Sequence, residues 1–325
     1  MISHIIESLT TMKLFFAALA FVAALLYSLL KKPYPVHNSG AILISGASSG
    51  IGNHAAVTLA NTNKQFVVYA GVRKEKDFKA ILDLKLPNLL PILLDVTDEL
   101  SVQKAISVIK ESGQPLIALV NNAGIARSST LEFHAISDLK SIFETNFFGM
   151  ARLTQVSLPL LRESKGRIVQ ISSVSGKIST PLSGGYSSSK FAMESFSDAL
   201  RREVDHFGIS VSIVEPAYVK TNIFESSKEA SKEIIDTQLS DKDRDNMKVL
   251  YSHLFSEEKI NKILKSFEQA AEPTVTSEAI VHAITSKNPQ TRYVVAVVGA
   301  IPAWVLTNLA WLLTDRALDV LTKYF

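Results

Sequence analysis

Cysteine is absent from the chain, which removes disulfides and thiolate metal sites from consideration. The seven histidines are scattered without the spacing of metal ligands, so no metal is expected. No Asn-x-Ser/Thr acceptor occurs, a pattern that fits a body facing the cytosol. Charge of one sign is also missing. Lysine and arginine number 34 against 31 acidic residues, interspersed along the chain, so there is no basic stripe and no nucleic-acid partner is expected. What is plentiful is apolar: 47% of 325 residues, ample for the core of one large α/β domain or two small ones.

Part of that apolar content is a single run. Leu14 to Leu30 carries no charge, with Lys13 before it and Lys31 and Lys32 after it. It lies at the short end for a bilayer span, where about 20 residues are typical. A cleaved signal peptide is the alternative, but no small-x-small site closes the run. Residues 1–32 are therefore read as an N-terminal membrane anchor whose trailing lysines favour a cytosolic body. Residues 33–40, with two prolines and a glycine, read as a linker.

Ala41 to Ser45 is a short apolar run that reads as a buried strand. It enters Gly46-Ala47-Ser48-Ser49-Gly50-Ile51-Gly52, followed by a helical pattern to about Asn61. Strand, glycine loop and helix present backbone N–H groups to a pyrophosphate. Farther on, Tyr186 and Lys190 are one helical turn apart and share a face. An ammonium beside a phenol favours the phenolate and lowers a pKa of about 10; such a phenol exchanges protons with a substrate oxygen near neutral pH. Ser173, thirteen positions earlier, offers a hydroxyl to the same oxygen. Tyr27 and Lys31 have the same spacing in an apolar run, so the surroundings of Tyr186 and Lys190 give that pair its weight.

The spacing G-x-x-x-G-x-G, then Asn121-Asn122-Ala123-Gly124, Asn146, Ser173, the Tyr186/Lys190 pair and Pro216 through Thr221, in that order, resembles the short-chain dehydrogenase/reductase family over about residues 41–221. The layout looks like the membrane-associated hydroxysteroid and retinol dehydrogenase branch. The resemblance implies a cofactor set of Gly46, Ser48, Ser49, Gly50, Ile51 and Gly52 at the phosphates, Asp95 and Val96 at the adenine, Asn122, Ala123 and Gly124 backing the adenosine, and Tyr186, Lys190, Pro216, Val219 and Thr221 toward the nicotinamide. It implies catalysis by Ser173, Tyr186 and Lys190, with Asn146 holding a relay water. Ala217 departs from the family's usual glycine. No acidic residue closes the second strand; Arg73 stands there instead, with Ser49 and Lys74 to help hold a 2′-phosphate. NADP(H) is therefore the expected cofactor, with NAD(H) the alternative. Asp95 has a second reading, as the cap of a helix beginning near Glu99.

The expected fold is α/β: a single doubly wound domain over residues 41–300, with seven parallel strands at 41–45, 65–72, 89–94, 116–120, 167–172, 209–214 and 292–298. Helices are expected at 101–111, 138–161, 186–207 and about 276–284. Residues 222–272 are a charged, helical, variable substrate region. Val294 to Leu313 has no charge and rivals a membrane span, but β-branched residues, Gly299 and Pro302 favour a strand followed by a helix from about Ala303. Residues 301–325 then form an apolar cap or a membrane-associated segment. The expected function is hydride transfer between NADP(H) and a carbonyl or alcohol of a lipophilic substrate such as a steroid or retinoid. The resemblance further implies an endoplasmic-reticulum membrane location, and admits a homodimer. The alternatives are a keto-lipid reductase of the same mechanism and a non-catalytic membrane-tethered scaffold.

Overall fold

The computed structural model of the chain describes residues 16–18, 20–22, 33–298 and 301–322. The chain divides into two units, 1–34 and 35–325. In the first, residues 16–18 and 20–22 are helical and exposed; the rest of the expected anchor lies outside the described residues. Among the described residues no helix is long and apolar enough to cross a membrane.

The second unit is built on seven strands: β1 Gly40–Ile44, β2 Phe66–Val72, β3 Leu89–Leu93, β4 Leu116–Asn121, β5 Arg167–Ile171, β6 Ser210–Pro216 and β7 Arg292–Val295, ordered β3-β2-β1-β4-β5-β6-β7. Every pairing is parallel. A parallel sheet is covered on both faces, so its strands read as continuous apolar runs. Accordingly β1, β4, β5 and β6 are buried along their whole length.

The helices follow as α1 Gly50–Thr62, α2 Glu75–Asp83, α3 Glu99–Glu111, α4 Ile136–Phe143, α5 Met150–Ser164, α6 Gly184–Val204, α7 Ile223–Gln238, α8 Asp241–Leu250, α9 Glu257–Glu268, α10 Thr274–Thr285, α11 Ala303–Leu312 and α12 Asp315–Thr322. One core packs α1, α2 and α10 on the sheet through Ala55, Leu59, Ile81, Ile280 and Ile284. The other packs α3, α5 and α6 through Val102, Ile109, Leu153, Leu161 and Leu200. The order reverses between β1 and β4, and ligands of open α/β sheets bind at the carboxyl ends beside such a switch.

Several expectations change. Residues 75–83 form α2, which the sequence reading passed over. The single helix expected over 138–161 is α4 and α5 joined by one π turn, Glu144–Gly149. The helix expected from Tyr186 begins at Gly184. β7 stops at Val295 because Ala296 takes φ +70°; Val297–Val298 then pairs antiparallel with Ile301–Pro302. Asp95 caps no helix. Asp98 caps α3, accepting from the Leu100 N–H.

The insert between β6 and α10 comprises α7, α8 and α9. Its two ends are joined: Val219 bridges Ala271, the Lys220 N–H donates to Ala271 O at 2.9 Å, and the Ala271 N–H donates to Tyr218 O at 3.0 Å.

Candidate active site at the carboxyl edge of the sheet

After Ile44 the chain turns into α1 through the glycine loop. Gly46 and Gly50 have φ +66° and +57°, left-handed values that strain a residue with a Cβ. The loop is braced from β4. The Asn122 amide donates to Ser45 O at 3.0 Å and Gly46 O at 2.9 Å, and Ser45 Oγ accepts the N–H groups of Asn122 and Ala123, each at 3.0 Å. Asn122 thus shapes the loop. Ser45 was missed as a site residue; its only signal is a polar residue closing an apolar run. The first turn of α1 has no acidic residue, and Ser49 makes no side-chain cap bond, so the helix N-terminus suits an anion. Ser48 and Ser49 are exposed and Ile51 is half-buried. Thr221 is brought across to the loop, its Cβ 3.2 Å from where a Cβ on Gly50 would lie. These features fit a dinucleotide pyrophosphate.

Arg73 and Lys74 are exposed just beyond β2. Asp95 Oδ1 accepts from the Thr97 N–H and hydroxyl at 2.9 and 2.7 Å. Val96 is buried, its carbonyl held by Arg152 Nη1 at 2.6 Å. The backbone at Ala217, where the family pattern is broken, donates to Val295 O at 3.0 Å, so the sheet ladder fixes its path.

The four expected catalytic residues converge. The Tyr186 ring centroid is 5.6 Å from Lys190 Nζ. The Ser173 hydroxyl donates to Pro216 O at 3.4 Å and accepts the Ser175 N–H at 3.0 Å. Lys190 Nζ donates to Ile171 O at 2.8 Å. A Cβ on Gly124 would lie 3.4 Å from Asn146 Oδ1 and 3.8 Å from Lys190 Nζ. Asn146 is fully buried in the π turn. Its Nδ2 donates to Ile125 O at 2.9 Å and Ser189 Oγ at 3.0 Å, and its Oδ1 accepts the Ile125 N–H at 2.8 Å. Both N–H groups are therefore taken by protein, and the side chain braces the segment after Gly124.

The expected lowering of the Tyr186 pKa is also corrected. Burial pushes the phenol up to about 12, with the Ser173 hydrogen bond acting the other way. Burial pulls Lys190 down to about 8, against the pull of Glu194. Desolvation favours the neutral form of each group, and the ammonium is directed at Ile171 O. Burial thus keeps the proton on the phenol, which readies it to donate, and makes Lys190 give up its proton more readily.

Residues 40–232 match the family model for short chain dehydrogenases. The chain belongs to the short-chain dehydrogenase family. It is an oxidoreductase of the CH–OH/C=O class. Retinol dehydrogenase 7 of Mus musculus is 34% identical over 255 residues, covering 78% of this chain and 79% of that protein. The NADPH-dependent 3-dehydrocapnine reductase of Ornithobacterium rhinotracheale is 34% identical over 290 residues, covering 85% and 94%. Among solved structures, ElxO with NADP bound superposes with a TM-score of 0.61 at 26% identity, covering 78% of this chain and 96% of that one.

Behind the site this short-chain dehydrogenase carries a charge cluster that sequence reasoning did not find, because its members come from four elements. Lys177 Nζ lies 2.9 Å from Glu194 and 3.8 Å from Glu215. Arg292 meets Glu194 at 3.1 Å, Asp198 at 3.0 Å and Glu215 at 3.0 Å. Burial, then the charge of Glu194, raises Glu215 to about 7, against Lys177 and Arg292. A carboxyl that holds its proton more tightly when folded contributes stability fully present below its unfolded pKa and lost as pH rises through the folded value. Stability should therefore fall from about pH 4.5 to about pH 7 on account of this group. Glu215→Gln should flatten that fall, by on the order of 1–3 kcal/mol. Denaturant melts at pH 5 and pH 7.5 check it; an unchanged difference between the two would count against the assignment.

Proposed function

We propose that this enzyme reduces a carbonyl on a lipophilic substrate with NADPH, or runs the reverse oxidation, through Ser173, Tyr186 and Lys190. What supports the reading is that Tyr186 and Lys190 lie one turn apart on α6, the Tyr186 ring centroid 5.6 Å from Lys190 Nζ, at the sheet edge that also holds Ser173 and the glycine loop. Bound at that edge, the dinucleotide supplies the hydride. The Ser173 hydroxyl hydrogen-bonds the substrate carbonyl and polarises it. Tyr186 then transfers its phenolic proton to that oxygen. Lys190 would hold positive charge beside the phenolate that results and would bond the ribose hydroxyls of the bound cofactor. Asn146 keeps Ile125 and Ser189 in place around the pair.

Arg73, with Lys74 and Ser49, would bind a 2′-phosphate. Two comparisons support NADP(H): one relative is named NADPH-dependent, and ElxO was solved with NADP. Arg73→Asp should shift cofactor preference toward NADH by about 10–100-fold in kcat/KM, since a charge-assisted bond contributes about 1.5–3 kcal/mol. Initial rates with each cofactor measure it, and an unmoved ratio would remove Arg73 from the cofactor set.

A lipophilic substrate is supported by the similarity to retinol dehydrogenase 7 and by aromatic residues at the neck of the insert, where Phe224 stacks on Phe267 at 3.7 Å and Tyr218 meets Phe267 at 4.8 Å. The apolar N-terminal run would tether the body to a membrane, facing the cytosol; Trp304 and Trp311, 57% and 77% exposed on α11, would lie at its surface. Turnover of NADPH against a panel of sterol, retinal and 3-keto lipid substrates tests the reading and separates it from a keto-lipid reductase. No turnover with any of them would leave a tethered scaffold.

A further inference from the structure

The buried charge cluster is built on three backbone segments that border the site. Lys177 is four residues after Ser173, Glu194 is one helical turn after Lys190, and Glu215 precedes Pro216, whose carbonyl accepts from Ser173. Their side chains are 10%, 6% and 1% exposed. The turn after Ser173 is pressed on α6 at Gly176, where a Cβ would lie 3.0 Å from Glu194 Cγ and 3.3 Å from the Lys190 carbonyl carbon. A side chain at Gly176 would separate the two segments.

Burying such a cluster is a poor way to stabilise a fold. The desolvation of buried ion pairs offsets most of their attraction, and apolar residues of similar size do as well. The cluster sets three carboxyl groups (Glu194, Asp198, Glu215) against two cations (Lys177, Arg292), and one of them, Glu215, is raised to about 7.

We infer that Glu194, clamped from the Ser173 turn by Lys177 and from β7 by Arg292, is a positioning residue that ties the Ser173 turn to α6 and holds Lys190 in its charged form. The inference rests on the proposed role of Lys190 and deepens it. The charged and titratable groups of this assembly are Tyr186 beside Lys190, Glu194 and Asp198 farther along the same helix, Lys177 on the turn after β5, Glu215 on β6 and Arg292 on β7. The charge of Glu194 acts on Lys190 against the desolvation that pulls it down. Glu194 is in turn set by its two clamps. Neutralising the carboxylate should release Lys190 to lose its proton earlier. Neutralising Lys177 should do the opposite, because it removes a nearby positive charge and leaves Glu194 less compensated.

The test reads Lys190 directly in the cofactor-free protein, by lysine side-chain NMR across pH, with the resonance assigned by its loss in Lys190→Met. Glu194→Gln should move the Lys190 titration down by about one pH unit, and Lys177→Met should move it up by about half a unit. Glu194→Asp should restore most of the wild-type value. In turnover, the alkaline limb of the reductive kcat/KM profile should move in the same directions, with kcat on the acid side within about threefold. Opposite shifts from two neutralising variants are not a sign of general loosening. A Lys190 titration unmoved in Glu194→Gln overturns the inference, as does a loss of activity uniform across pH. Should Glu194→Gln not fold, the sign of the Lys177→Met shift decides alone. Full activity in Tyr186→Phe would instead strike the catalytic reading while leaving the NMR result intact.

Discussion

Tyr186→Phe should lower kcat by about three orders of magnitude, within the 10²–10⁴-fold range of a positioned general acid, while leaving NADPH affinity unchanged. The substitution removes one oxygen from a ring packed 5.6 Å from the Lys190 ammonium and alters no backbone bond. The lost oxygen is the proposed proton donor, so the carbonyl loses its acid and keeps the Ser173 hydroxyl that would polarise it. Cofactor affinity is preserved because the glycine loop, Asn122 and Lys190 do not depend on the phenol. Loss confined to kcat is the mark of an interaction made only in the transition state. Single-turnover kinetics beside a fluorescence titration with NADPH separate the two quantities. A variant with wild-type kcat would end the assignment.

Gly52→Ala should weaken NADPH binding by on the order of 10–100-fold, equivalent to about 1.4–2.8 kcal/mol, and lower stability by about 1–3 kcal/mol as an overpacked site does. A Cβ at Gly52 would lie 2.3 Å from Asn122 Nδ2 and 2.5 Å from Gly46 O. Those two atoms form the bond, 2.9 Å long, that joins the glycine loop to β4. The methyl group has to part them, and the loop then loses the brace that aims its N–H groups. Calorimetric titration with NADPH and a thermal melt measure the two effects. Unchanged affinity would show that the brace is dispensable.

Much of this architecture is legible in the sequence because parallel strands are buried on both faces and so declare themselves as apolar runs. Ile42 to Ile44 and Leu116 to Val120 are such runs, and each ends in a polar or glycine-rich motif that marks the carboxyl edge. Tyr186 and Lys190 are legible because one helical turn separates them. What is not legible depends on contacts distant in sequence. The π turn at Glu144–Gly149 is fixed by Asn146 bonding Ile125 and Ser189, neither of which a local pattern names. β7 ends where Ala296 turns left-handed, a choice no β-branched run foretells. The phenol pKa was misjudged because spacing supplies the neighbour and says nothing of the solvent removed around it. The Glu194 cluster needed four elements to be assembled before its charges met.

The closed neck at Val219 and Ala271 separates two tasks. Because entry and exit of the α7–α9 insert are already hydrogen-bonded to each other, the strands beyond it register no change in the insert's length or content; loop-closure cost grows only with the logarithm of length. This stretch is accordingly a cassette. Grafting in the corresponding segment of a relative at Tyr218–Lys220 and Ala270–Glu272 should retarget the enzyme while the chemistry beneath it carries on, which makes the neck the natural seam for chimeras.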